Sequence, residues 1–167
     1  IPHIETVLNN YEKQYELLQG EYDDSNWIAT QRCVVELYFH VLHDNEKALN
    51  WAHRIQNNPR SNTSKAFLSL VKITLVLIHF QLQNYTLLPS LISSATRHLK
   101  KYGPYSVVEE EVFRFILHYP KLLIDKEKQH AFRQLNERLL YFKDTLPATE
   151  TSLRRIFYFR WIDRNLY

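Results

Sequence analysis

The sequence predicts an all-α fold, and three observations support that prediction. Apolar residues recur at helical spacing along most of the 167 residues. The two glycines of the chain, Gly20 and Gly103, each follow an amphipathic run, where a glycine with positive φ commonly ends a helix. There is no Asn-Gly or Asp-Gly hairpin signal and no sustained alternation of apolar and polar residues. We therefore expect about eight helices, which short connections join into antiparallel pairs.

The first four helices are placed by periodicity and by the residues that interrupt it. The first runs over residues 2–19, and the second runs from a cap at Asp24 or Ser25 to residue 42. The third covers residues 45–57, because Pro59 prevents its continuation. A polar cluster over residues 60–64 opens the fourth, which is apolar on nearly all sides. That pattern is typical of a helix buried between neighbours.

The last four helices have clearer start signals. The fifth begins near Thr86, because Pro89 is tolerated only in a first turn. Ser106 and Glu109 form a capping box at the start of the sixth, which ends before the proline at 120. The seventh begins after Asp125, and the eighth extends from about residue 147 to 166.

Composition excludes several classes of function. Hydrophobic residues make up 45% and charged residues 23%, which is ordinary for a soluble globular protein. Two glycines cannot build a glycine-rich phosphate loop, a dinucleotide fingerprint or a nucleophile elbow. No stretch reaches the roughly 18 apolar residues of a membrane span. The single cysteine, Cys33, excludes an internal disulfide and fits a reducing compartment, so we expect a cytoplasmic protein.

The chain begins at Ile1 and contains no methionine. We therefore expect it to be the C-terminal part of a longer protein, folded as a single helical-repeat domain over residues 1–167.

An internal repeat emerges when the second and third helices are laid over the fourth and fifth. At an offset of 40 residues, Leu42 meets Leu82, and Asp44 meets Asn84 at the turn between helices. Each copy then consists of a helix, a short polar turn and a second helix, which carries Ala48 in one copy and Leu88 in the other. This periodicity predicts stacked helix pairs.

The segment Glu36–Ile55 resembles a tetratricopeptide repeat, with an Asp-Asn turn followed by the small Ala48. The offset exceeds the usual 34 residues of that family, and Leu88 replaces the small residue in the second copy. The resemblance implies a short right-handed solenoid that binds a protein or peptide and has no cofactor. Residues 75–141 also resemble an uncharacterised helical-repeat family of Bacteroidetes bacteria, which implies no known activity.

Three cations occupy related places in the predicted helix pairs. Arg32 and Lys72 are 40 residues apart, and Arg114 lies in the first helix of the third pair. A ladder of cations along one groove would bind carboxylates or phosphates. The alternative is that each residue lies on a solvated strip, with its stem packed and its charge in water.

The eighth helix is a second candidate binding surface. Phe157 and Trp161 lie on an apolar face, and Arg160 and Arg164 are interleaved with it. Aromatic and arginine side chains together are typical anchors of interfaces, so this helix would bind a partner or a second copy of the chain. The alternative is that the helix is wedged into the domain and buries both of its apolar sides.

Catalytic and metal-binding patterns are weak. Glu36, His40, His43 and Asp44 lie along one side of the second helix, but one helix seldom completes a metal site. Cys33 lies among apolar residues, which favours a buried structural thiol over a nucleophile. We therefore expect no catalytic residue, no metal and no cofactor.

The leading hypothesis is a non-enzymatic scaffold that recognises a protein or peptide. The alternative is a regulatory or nucleic-acid-binding module, because residues 85–167 contain 14 Lys and Arg against 9 Asp and Glu. Arg97, Lys100, Lys101 and the arginines of the last helix would then supply the phosphate contacts. The modest charge excess makes nucleic acid the less favoured partner.

Overall fold

A computed structural model describes residues 2–17, 24–58, 65–103, 105–145 and 152–166. Within those ranges the protein is all-α and has no strand. The eight α-helices are α1 (Pro2–Leu17), α2 (Asp24–Glu36), α3 (Asn45–Asn57), α4 (Lys65–Gln81), α5 (Leu88–Tyr102), α6 (Val107–His118), α7 (Asp125–Thr145) and α8 (Ser152–Leu166). A π-helix, Leu37–Leu42, continues α2, and a 3₁₀ turn, Tyr119–Lys121, follows α6. Among these helices, none has the length and apolarity needed to cross a bilayer.

The structure divides into two compact units, Ile1–Val71 and Lys72–Tyr167. The single helical-repeat domain expected from the sequence stays a prediction. The boundary falls inside α4. In the first unit, α2 contacts α3, and in the second unit α7 contacts both α6 and α8. These neighbours agree with the predicted pairing of the second helix with the third and of the sixth with the seventh.

The core of the first unit combines aromatic rings with one carboxylate. The Tyr15 and Trp51 rings meet edge to face, with their centroids 4.9 Å apart. Glu12 Oε1 accepts hydrogen bonds from the Tyr38 hydroxyl at 2.8 Å and from the Trp51 indole N–H at 3.0 Å. Burial and the neighbouring Glu12 carboxylate raise the pKa of Tyr38 well above its usual value, so this phenol stays protonated. One side chain of α1 therefore satisfies two donors of the core.

The core of the second unit is built on α4, whose residues 73–80 are all buried. This confirms the prediction that the fourth helix is apolar on nearly all sides because it lies between neighbours. At its end, the Phe80 ring lies 4.9 Å from the Tyr119 ring and 5.3 Å from the Trp161 ring, both edge to face. The Trp161 ring also packs on Phe132, with centroids 5.5 Å apart. This cluster fixes α6, α7 and α8 against the end of α4.

Most predicted helix starts lie within two residues of the observed ones. The capping box is confirmed, because Ser106 Oγ accepts from the Val108 N–H and Glu109 Oε2 accepts from the Ser106 N–H. Helix α5 begins at Leu88 rather than near Thr86, with a turn over residues 85–87 before it. Residues 146–151, which include the predicted start of the eighth helix, lie outside the described residues.

Helix α5 ends at Tyr102, directly before Gly103 as expected, but the positive φ predicted for this glycine is wrong. Gly103 has φ −147° and ψ 170°, an extended conformation that any residue can adopt. The described residues with positive φ are instead His43 and Gln83, each with φ 58°. They are 40 residues apart, and each lies just beyond a helix end. Gly20, the other predicted cap, lies outside the described residues.

Candidate functional site

Arg32 lies in the first unit and has partners of its own there. Its Nε lies 2.7 Å from Glu36 Oε1, and its guanidinium lies over the Phe67 ring at 5.8 Å. Lys72 lies in the second unit, half-buried on α4, where its Nζ donates to Ser94 Oγ at 3.3 Å. Burial lowers the pKa of Lys72, because the charged ammonium has lost hydration. The common groove expected for these cations stays a prediction.

Arg114, the third cation of the predicted ladder, is exposed on α6. It bonds to both carboxylates of the preceding turn, including Glu110 Oε1 at 3.1 Å. Glu111 is shared, because its Oε2 also accepts from Arg138 Nη1 of α7 at 3.0 Å. Two arginines and one carboxylate therefore tie α6 to α7 at the surface of the second unit.

The structure places the predicted aromatic anchors of α8 inside the second unit. Trp161 is 0% exposed and Phe157 is 8% exposed, while Tyr158 and Ile162 on the other face are fully buried. This matches the alternative in which the helix buries both sides. Arg160 is exposed and Arg164 is half-buried, and burial lowers the pKa of the Arg164 guanidinium. A dimer contact through α8 stays a prediction.

Two adjoining cavities form an open groove between α6 and α7, which we call the α6–α7 groove. The first encloses about 250 Å³, and the second, nearer the start of α7, encloses about 730 Å³. Both are lined by His118, Ala131 and Gln134, so they meet at these residues. The first is lined further by Glu111, Arg114, Phe115, Leu135 and Arg138. The second is lined further by Leu122, Ile124, Lys126, Glu127, Gln129, His130 and Arg133.

An apolar run lies at the wider end of this groove. Leu123 is 87% exposed and Ile124 is 58% exposed, immediately before α7 begins. Large apolar side chains exposed side by side next to a concave surface are typical of a protein interaction site. The groove therefore offers apolar contact and charged groups over one continuous surface.

No group of three or more potential metal ligands lies together in the described part of the chain. In the cluster singled out from the sequence, Asp44 Oδ1 accepts from the Lys47 N–H at 2.9 Å, and Glu36 pairs with Arg32. These contacts give both carboxylates structural roles. The prediction of a buried Cys33 is wrong, because the thiol is exposed while Val34 and Val35 face the core.

Three of the cations that the nucleic-acid alternative uses lie on α5. Arg97, Lys100 and Lys101 are all exposed. Lys100 Nζ lies 5.1 Å from the centre of the Tyr105 ring, and Lys101 Nζ lies 5.0 Å from that of Tyr102. These contacts hold two of the three cations near the helix end, where positive charge also complements the helix dipole.

Sequence reasoning missed most of the α6–α7 groove, although it included Arg114. The overlooked signal was the run over residues 122–124, three consecutive apolar residues in the connection that leads into the polar start of α7. Connections of this kind are usually polar, so such a run needs either burial or a partner. Whether this run is buried depends on how α6 and α7 pack against each other. The periodicity of the sequence does not predict that packing.

No protein-family model, curated protein or solved structure matches this chain. The geometry of the described residues is therefore the basis for a functional proposal.

Proposed function

We propose that this chain is a non-enzymatic scaffold that binds a protein or peptide, and that the α6–α7 groove is its docking surface. The observation that carries the proposal is the joining of two cavities with exposed Leu123 and Ile124 at one end. Water contact with this apolar surface is unfavourable, and a partner segment lying in the groove removes it.

The proposal also concerns how the helix pairs are arranged. We propose that the helix pairs stack as a short right-handed, tetratricopeptide-like solenoid. The left-handed residues His43 and Gln83 support this, because equivalent turns 40 residues apart are what a repeat requires. The buried residues Ala48, Ala52 and Ile55 of α3 also have buried counterparts at the same offset, namely Leu88, Ile92 and Ala95 of α5.

The test is selection of peptides from a random display library on the whole chain. Gln134 lines both cavities and is exposed, so Gln134→Trp fills the groove without disturbing the core. Gln14→Trp is the matched control, an exposed glutamine of α1. The proposal predicts peptides that bind the wild-type chain and Gln14→Trp and are lost with Gln134→Trp. If no peptide is selected, or if Gln134→Trp retains the same peptides, the groove is not a docking surface.

A nucleic-acid-binding module is the second candidate, and the exposed cations of α5 favour it. Its affinity would fall steeply with salt, because each phosphate contact releases counterions. A partner in the α6–α7 groove would respond to salt much less, since part of its contact is apolar. Arg97→Glu with Lys100→Glu would abolish nucleic-acid binding and leave peptide binding in the groove unchanged.

A further inference from the structure

The charge of the α6–α7 groove is not balanced. Lys126 and Arg133 line the wider cavity, and neither forms an ion pair with a described residue. They are seven residues apart on α7, hence on one side of the helix, about 10 Å apart along its axis. The only carboxylate among the residues that line this wider cavity is Glu127. In the narrower cavity, Arg114 and Arg138 outnumber Glu111 in the same way.

The two unpaired cations lie beside the apolar run. Ile124 lines the same cavity as Lys126 and Arg133, and Leu123 next to it is almost fully exposed. A ligand that satisfies both features needs carboxylates and large apolar side chains close together in one segment. A free small anion would satisfy the cations and leave the apolar residues in water.

We propose that the occupant of the α6–α7 groove is an acidic, apolar segment of a partner protein. Its carboxylates pair with Lys126 and Arg133, and an apolar side chain packs on Leu123 and Ile124. This inference rests on the proposed function, because it assumes that the groove is the docking surface and adds the chemistry of the partner.

A nucleic acid or an anionic membrane fits the groove less well. Glu111 and Glu127 line the cavities and would repel a continuous run of phosphates. A peptide segment presents separate carboxylates with neutral residues between them, so it can avoid both glutamates. The concave surface also accommodates side chains of a partner better than it does a flat bilayer.

The experiment compares two pools of short synthetic peptides on the immobilised whole chain. Both pools carry Leu, Ile and Phe at randomised positions, and they differ only in having Asp and Glu or Lys and Arg at the charged positions. We expect about tenfold greater retention of the acidic pool, which two ion pairs of intermediate strength within the range for exposed pairs would supply. Equal retention, or greater retention of the basic pool, would overturn the inference.

Variants locate the effect. Lys126→Glu with Arg133→Glu should remove the preference for the acidic pool, while Arg97→Glu with Lys100→Glu, an equal charge change away from the groove, should keep it. Leu123→Ser should weaken retention of the acidic pool, whereas Leu17→Ser should not, because Leu17 is similarly exposed, at 83%, but lies on α1. If the Lys126 and Arg133 double variant keeps the preference for the acidic pool, these cations do not bind the carboxylates of the partner.

Vesicles that contain an anionic lipid form the last arm. One outcome is that the chain binds these vesicles, loses that binding with Leu123→Ser and does not retain the acidic pool. This outcome would assign the groove to a membrane and overturn the inference. Peptides selected from the random library that prove basic or uncharged would overturn the inference while the proposed function stands. Failure to select any peptide would overturn both.

Discussion

His43 and Gln83 each follow a helix and share a φ of 58°. The residue after each of them, however, makes a different hydrogen bond. Asp44 reaches forward, and its carboxylate caps α3, which begins at once at Asn45. The side chain of Asn84 contacts the preceding helix, because its amide nitrogen donates to His79 Nδ1 of α4 at 3.1 Å. Helix α5 then starts only at Leu88. A left-handed residue thus follows the end of the first helix at both turns, but only at the first turn does the next side chain cap the helix that follows.

The surroundings of the two turns differ as well. Near the first turn, the Glu12 carboxylate accepts from Tyr38 and Trp51. Near the second turn, the Phe80 ring packs against other rings, and the Trp161 indole N–H has no hydrogen-bond partner among the described residues. The first unit therefore depends on a polar contact that one substitution can remove. The second depends on packing, where the loss scales with the volume removed.

The largest effect is expected at Phe80. Phe80→Ala opens a cavity at the centre of the ring cluster and should lower the free energy of unfolding by about 3–5 kcal/mol. Denaturant unfolding measures it, with Tyr141→Ala as the control, since Tyr141 is exposed and its loss should cost less than about 0.5 kcal/mol. If the two variants are equally stable, packing on Phe80 does not hold the second unit together.

A smaller loss is expected at Glu12. Glu12→Ala leaves the Tyr38 hydroxyl and the Trp51 indole without their acceptor, which should cost about 1–3 kcal/mol. Glu12→Gln keeps a carbonyl acceptor and should cost less. Thermal unfolding of these variants beside Glu16→Ala, an exposed glutamate of the same helix, measures the difference. Equal stability of Glu12→Ala and Glu16→Ala would contradict the role of this carboxylate.

The capping difference predicts a local effect. Asp44→Ala removes the N-cap of α3 and should cost about 1 kcal/mol, with faster hydrogen exchange at the Lys47 amide. Asn84→Ala should leave the exchange of the first-turn amides of α5 unchanged, because Asn84 bonds to His79 instead. Faster exchange at the start of α5 in Asn84→Ala would show that both turns cap the next helix.

The smallest effect should be the same at both turns. A left-handed residue other than glycine costs about 1–2 kcal/mol, and glycine adds back about 0.4–1 kcal/mol of unfolded-state entropy. His43→Gly and Gln83→Gly should therefore each stabilise the chain by about 1 kcal/mol or less. Gly103→Ala should not destabilise, because its φ is extended. Stability changes of opposite sign at residues 43 and 83 would separate the two turns and weaken the case for a repeat.

The sequence predicts local features of this fold well. The capping box at Ser106, the proline in the first turn of α5 and the bounds of α3 depend on neighbouring residues alone, and the structure confirms them. The buried stretch of α4 is predicted for the same reason, because its apolar residues surround the helix. Amphipathic spacing is the physical link between sequence and burial in each case.

Features that depend on packing between helices are harder to predict from the sequence. A glycine would give a local reason to expect a positive φ, but the residues with positive φ are His43 and Gln83. At these two positions the end of a helix determines the φ value, and the residue type does not. Cys33 has apolar neighbours in sequence but lies on the outer side of α2. The α6–α7 groove arises from how α6 and α7 meet, so the apolar run over residues 122–124 is its one signal in the sequence, and the other lining residues share no pattern.

The most direct test of the docking proposal follows backbone amide shifts of the whole chain while an acidic, apolar peptide from the retained pool is added. The account predicts shifts that saturate and cluster over residues 114–138, with His118 and Gln134 among the most affected. The amides of Arg97 and Lys101 on α5 should stay in place. Shifts centred on those α5 cations, or spread evenly over both units, would contradict the assignment of the α6–α7 groove as the docking surface.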